Sequence, residues 1–301
     1  MAAITRQLLS SKNGFVRKGA AAVLRLPKWW RSFGATPQRL AAAPPVLANS
    51  FPKSGTHLLY QIVDGLPDRV DFGSFLASMT SSFQFRPRSD RSVLRFVDRM
   101  TPGEIVRGHL FCEPGYASAL RDRNVVHYFV YRDPRDVVVS EAHYLRSMNR
   151  WHRLHRHFAR LASMDEAINM SITGFQPPIP GLEYPTIADR FARYRGWLDE
   201  ADCLAIRYED LVSERQPEII REMAEFYARH AQADIDIESC ARQMAAAVAP
   251  DRSHTFRSGK KAGWKLEFTP AHCRLFDQVA GQLLVDLDYE PNREWATAPA
   301  V

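Results

Sequence analysis

Acid is missing from the start of this 301-residue chain. Residues 1–43 hold eight Lys or Arg and no Asp or Glu, and the first acidic residue is Asp64. The whole chain carries 40 basic against 34 acidic residues, so beyond residue 43 it holds 32 against 34. The net charge of +6 and the pI near 9.2 therefore describe an N-terminal arm. They do not describe a basic nucleic-acid surface, and nucleic acid is not an expected partner. Cysteine is also scarce. Cys112, Cys203, Cys240 and Cys273 lie far apart with no CxxC pair, which excludes a disulfide or zinc framework and fits thiols of a reducing, cytoplasmic setting. No apolar run approaches the ~20 residues that span a bilayer. The stretch Gly19 to Leu26 is short and interrupted by Arg25, which makes a poor signal-peptide core.

What remains in residues 1–43 is a basic, partly amphipathic arm containing Trp29-Trp30. Its composition suits peripheral contact with an anionic membrane surface. An arm packed on the domain as a helix, or a transit peptide, has the same composition. The linker Ala41-Ala42-Ala43-Pro44-Pro45 leads into a domain expected over residues 44–292, with a short tail at 293–301.

Within that domain Val46–Phe51 reads as a buried strand, and a Pro/Gly turn leads to a helix beginning near Thr56. Further strands are expected at Glu104–Leu110, Val125–Tyr131 and Cys203–Tyr208, with helices near 134–147, 216–230, 235–248 and 270–285. Short apolar strands alternating with helices predict an α/β fold with a parallel sheet covered on both faces. Ligands of such sheets bind beyond the carboxyl ends of the strands. Two stretches, 68–101 and 148–186, lack a clear period and read as lids or substrate loops.

Phe51-Pro52-Lys53-Ser54-Gly55-Thr56 joins the first strand to the first helix. Amides at a helix start are unpaired and sit beside the positive end of the helix dipole. Gly55 permits close backbone approach, while Lys53, Ser54 and Thr56 add a charge and hydroxyls, so the turn suits phosphate or sulfate. It lacks the Gly-Lys pair of the nucleoside-triphosphate loop, because Thr56 and His57 follow Gly55. A second anchor follows Val125–Tyr131 in Arg132-Asp133-Pro134-Arg135-Asp136. Asp133 reads as a helix cap, Pro134 as a first helical residue and Asp136 as a capping-box acid. Arg132 ends a strand at the ligand edge, where a guanidinium can grip a phosphate with two hydrogen bonds; Ser140 lies two turns into the helix.

Together these segments resemble the sulfotransferase family that uses 3′-phosphoadenosine 5′-phosphosulfate (PAPS). Pro52–Thr56 is similar to its 5′-phosphosulfate loop, and Arg132 through Ser140 to its 3′-phosphate motif. Arg257-Ser258-Gly259-Lys260-Lys261-Ala262-Gly263-Trp264-Lys265 looks like the family's closing segment, and Tyr208 in Arg207-Tyr208-Glu209-Asp210 like its adenine-facing tyrosine. The resemblance implies a three-layer, P-loop nucleotide-kinase-like fold with a parallel sheet of about five strands. It implies PAPS as sulfuryl donor, PAP as product and no metal. By position, Lys53, Ser54, Gly55 and Thr56 would hold the 5′-phosphosulfate; Arg132, Ser140, Arg257, Ser258 and Gly259 would hold the 3′-phosphate. Leu58 stands where the family stacks a tryptophan on adenine, Ser258 replaces a lysine, and Pro270 interrupts the family's dimer motif.

His109, at the end of its strand, resembles the family's catalytic histidine, and an imidazole suits removal of a proton from a hydroxyl. Lys53 would stabilise the leaving group, Arg107 replaces a family lysine, and Glu113 is the fallback base. The run His152, His155, His157 has no common zinc spacing, and Arg153 and Arg156 would repel a cation. Phe72, Phe75, Phe83 and Phe85 beside Arg86, Arg88, Arg91 and Arg95 point to a glycan or glycolipid acceptor, with a small alcohol or phenol as the alternative. The competing classes are an ATP-dependent kinase, which the absent Gly-Lys opposes, and a catalytically inactive nucleotide-binding relative, which Lys53 with His109 opposes.

Overall fold

The computed structural model describes residues 8–9, 14–249 and 262–296. From residue 14 the chain forms helices α1 (Gly14–Val23), α2 (Arg25–Ser32) and α3 (Pro37–Ala42). Strand β1 (Val46–Ser50) and helix α4 (Thr56–Val63) follow, then β2 (Val70–Ala77), α5 (Asp90–Asp98), β3 (Glu104–His109), α6 (Pro114–Asp122), β4 (Val126–Tyr131) and α7 (Pro134–His143). The helix α7 runs into a π-turn over Tyr144–Met148. Next come α8 (His155–Phe158), α9 (Met164–Thr173), α10 (Ile187–Arg195), β5 (Cys203–Arg207), α11 (Tyr208–Leu211), α12 (Gln216–His230), α13 (Ile237–Ala246) and α14 (Pro270–Asp286).

The five strands form one parallel sheet in the order β2-β3-β1-β4-β5. Strand side chains alternate between its faces, as the pleat requires. Leu47, Val106 and Phe129 enter one core, which α5, α6, α7, α9, α10 and α14 cover. Val46, Ala48, Ile105, Val126, Tyr128 and Val130 enter the other, beneath α4, α12 and α13. This is the expected three-layer fold. Strand β1 is flanked by β3 and β4, so the turn leaving β1 emerges between the ends of those two strands. The chain order reverses there, at the switch point where open α/β sheets take ligands.

The stretch 68–101 is not all irregular. It holds the edge strand β2 and helix α5. Asp71, Gly73 and Ser74 break the apolar pattern of β2, and its register shifts between Asp71 and Ser74, so alternation fails just where the strand bulges. Likewise 148–186 contains α8 and α9. The four cysteines are free thiols.

Part of the N-terminal arm packs on the domain. Lys28 Nζ donates to Glu104 Oε1 at 2.5 Å and Ser74 Oγ at 3.1 Å, and lies 4.4 Å from the Phe96 ring centre. Arg31 donates to the Pro102 carbonyl at 3.0 Å. Glu104 is fully buried. Removing its cation leaves a buried charge unpaired. Lys28→Ala is therefore expected to cost about 3 kcal/mol, a fall of roughly 6–12 °C in melting temperature. A calorimetric scan checks this; a shift under about 2 °C would mean Glu104 does not depend on the arm.

Candidate active site

The turn after β1 is bent by two left-handed residues, Lys53 (φ 70°) and Gly55 (φ 89°). A β-carbon on Gly55 would stand 2.2 Å from Cδ2 of Tyr208, so glycine serves both the backbone angle and the close approach of that ring. Lysine in this region is strained, which is a frequent property of ligand loops. Lys53 and Thr56 face the cleft described below. Ser54 does not: its hydroxyl is fully buried and, among the described residues, has no hydrogen-bond partner. The Lys53 ammonium lies 4.1 Å from the centre of the Tyr144 ring, at the start of the π-turn. A π-turn displaces the helix face by one residue and is common at functional sites.

Arg132 stands on the β4 side of the turn. Its guanidinium lies 4.6 Å from the Tyr208 ring centre and donates to Asp136 Oδ2 at 3.0 Å. The other Asp136 oxygen accepts the Trp264 amide at 2.8 Å. Asp136 is therefore a buried strut between β4's end and the closing segment, rather than a capping-box acid, and burial raises its pKa. The cap itself is Asp133, which accepts from the Arg135 amide at 2.9 Å, with Pro134 opening the helix as expected. Ser140 and Tyr208 also line the cleft.

His109 stands on the β3 side. Its Nδ1 is 2.8 Å from the Ser50 carbonyl, which can only accept, so the neutral ring carries its proton on Nδ1 and leaves Nε2 bare. Ser50 Oγ lies 3.1 Å from the same nitrogen and 2.6 Å from Thr56 Oγ1, tying the histidine to the anion loop. Burial lowers the His109 pKa to about 4; the Ser50 carbonyl opposes this and Lys53 adds to it. At neutral pH the ring is an uncharged base.

These groups share one cleft of about 1740 Å³, larger than the ~300–1,000 Å³ of ordinary small-ligand pockets. Beyond the turn its walls carry Phe72, Phe75, Phe85, Arg88 and Arg95, all from 68–101, and His152 and Tyr184 from 148–186. Phe83 is exposed away from it. Arg107 is held by Asp71 at 2.7 Å, so it is not poised beside the base. Glu113 sits exposed at the start of α6, outside the cleft. His155 and His157 turn to separate partners, the Leu145 carbonyl and Arg156. Arg257, Ser258 and Gly259 lie outside the described residues.

Sequence reasoning missed Ser50, Tyr144 and the arm residues Arg25, Leu26 and Trp29, which line the cleft from α2. Only Tyr144 left a signal: it stands four residues after Ser140, on the same side of the helix.

The model of the sulfotransferase domain family matches residues 43–288. The chain belongs to the sulfotransferase family. No curated protein matches its sequence. Among solved structures, mouse sulfotransferase SULT7A1 complexed with PAP is similar at 18% identity and a TM-score of 0.52, covering 80% of this chain and 84% of that one. Retinol dehydratase in complex with androsterone and the inactive cofactor PAP is similar at 15% identity and a TM-score of 0.52, covering 80% and 81%. A complex of retinol dehydratase with retinol and PAP matches at 14%, with the same TM-score and coverage.

Proposed function

We propose that this sulfotransferase moves a sulfuryl group from PAPS to a hydroxyl of a glycolipid or related glycan. The observation that carries the reading is the convergence of Lys53, Arg132 and His109 on one cleft, at the ends of three adjacent strands. The donor reading is supported by a glycine-permitted turn, a lysine, a guanidinium and the Tyr208 face lining one cleft, a set of groups suited to a doubly phosphorylated adenosine. Arg257, Ser258 and Gly259 are proposed to complete the 3′-phosphate site. When bound, PAPS supplies an activated sulfate on a phosphate leaving group.

His109 Nε2 takes the acceptor's proton as the hydroxyl attacks. Lys53 supplies positive charge at the leaving oxygen, and the loop and Arg132 hold the reactants in line. No metal is assigned to any step. Phenylalanines interleaved with Arg88 and Arg95 suit an acceptor that is partly apolar and partly sugar or anionic group. The size of the cleft leaves room for donor and a large acceptor together.

The test is sulfur-35 transfer from labelled PAPS to a panel of glycolipids, free glycans, alcohols and phenols, with and without EDTA. Labelled glycolipid, unaffected by EDTA, is expected. Labelling of phenols alone would move the acceptor to the small-molecule alternative, and magnesium-dependent ATP turnover without sulfation would make the protein a kinase.

Arg132→Ala should weaken PAP binding about 10–100-fold, since a hydrogen bond to a charged group contributes roughly 1.5–3 kcal/mol. Equilibrium dialysis measures it, and an unchanged affinity would remove Arg132 from the donor site.

A further inference from the structure

Helix α2 is amphipathic in the sense opposite to a surface helix of a water-soluble domain. Lys28 turns toward the domain and is spent on Glu104 and Ser74, while Arg31, itself exposed, reaches back along the surface to the Pro102 carbonyl. Val23, Leu26, Trp29, Trp30 and Phe33 point outward, and Val23, Leu26, Trp30 and Phe33 are each about 70% exposed. At roughly 100° per residue these five fall within an arc of about 120°. The residue between the two helices, Leu24, keeps helical backbone angles, so the stripe runs unbroken from the end of α1. Trp29 stacks edge-on against Trp30 at 5.1 Å and Phe33 at 4.7 Å, which makes the stripe one aromatic patch. Lone exposed apolar side chains are ordinary, but a contiguous patch marks a contact surface.

We propose that this face of α2 docks on an anionic lipid bilayer. Charge selects that occupant. Exposed Arg25 and Arg39 flank the patch, and no acid occurs before Asp64. A second copy meeting the same face would oppose basic arm to basic arm. An anionic bilayer offers opposite charge, together with an interface that tryptophan prefers. The patch is also continuous with the cleft, because Leu26 and Trp29 belong to both. Docking therefore brings the cleft's rim to the lipid surface, where an amphiphilic acceptor can enter without crossing water. Only this last step rests on the proposed acceptor; the docking itself does not.

The experiment is co-sedimentation of the full chain with vesicles of phosphatidylcholine mixed with phosphatidylglycerol, beside vesicles of phosphatidylcholine alone. Binding to the mixed vesicles, weakened by added salt, is expected. The double variant Trp30→Glu, Phe33→Glu should bind at least about tenfold more weakly, since it replaces two anchors with charges that the anionic surface repels. Neither residue lines the cleft, so PAP affinity and melting temperature should stay at the wild-type values. No sedimentation with anionic vesicles, or equal binding by the double variant, would overturn the proposal. So would a wild-type dimer that the double variant converts to monomer, because a second copy would then cover the face. Vesicle binding without PAP binding would keep the docking while removing the donor assignment. PAP binding without vesicle binding would do the reverse.

Discussion

Replacing His109 with alanine is expected to lower sulfuryl transfer by about 10²–10⁴-fold, the usual contribution of a positioned general base, while PAP affinity changes little. The expectation follows from the Ser50 carbonyl, which fixes the proton on Nδ1 and turns the bare Nε2 into the working atom. It extends to pH. The active form is the neutral ring, and its pKa is held near 4 by burial. Activity should therefore persist as pH falls through the ordinary imidazole range and be lost only as it approaches 4. With the donor as varied substrate, kcat/KM reports groups of the unliganded enzyme. A limb near pH 6.5 would show a histidine in open water instead. Lys53→Ala should lose a comparable amount, about 10²–10³-fold, as removal of one charge-stabilising donor does elsewhere. If His109→Ala turns over at near the wild-type rate, the base is another group.

Gly55→Ala should weaken PAP binding by about a hundredfold, on the order of 3 kcal/mol. Two independent costs combine. Alanine at φ 89° loses roughly 1–2 kcal/mol against glycine. Its methyl would also stand 2.2 Å from the Tyr208 ring, so either the loop or the ring must shift. Displacing Tyr208 moves the face beside Arg132 as well. The double variant Gly55→Ala, Tyr208→Ala, read against Tyr208→Ala alone, isolates the backbone strain, because the clash is gone from both and the loss of the Tyr208 face is common to them. Calorimetric titration of PAP into each variant, with circular dichroism to confirm folding, reads the result. A Gly55→Ala protein that binds PAP normally would mean that the turn does not hold the donor.

The parts of this site that could be read from sequence are those fixed by local rules. A buried apolar strand followed by Lys53-Ser54-Gly55-Thr56, and a strand followed by Asp133-Pro134, carry their geometry in adjacent residues. Asp136 misled because its position satisfies a local capping rule, whereas the fold uses it across 128 residues to hold the Trp264 amide. Ser50 was unreadable for the same reason: as the last residue of an apolar strand it looks structural, and its link to His109 spans 59 residues. Strand β2 was hidden by its own bulge. The arm was ambiguous because a basic helix reads alike whether its charges face lipid or protein. The structure turns Lys28 to the domain, ties exposed Arg31 to the Pro102 carbonyl and leaves the tryptophans outside, an orientation that composition cannot reveal.

The most direct test is a calorimetric titration of PAP into the wild-type protein, in EDTA, beside Arg132→Ala. If the turn after Phe51 and the Arg132 guanidinium hold one nucleotide between them, the wild type gives a single saturable site and the variant a site at least about tenfold weaker. Silence from folded wild-type protein, or indistinguishable isotherms from the two, would contradict the account.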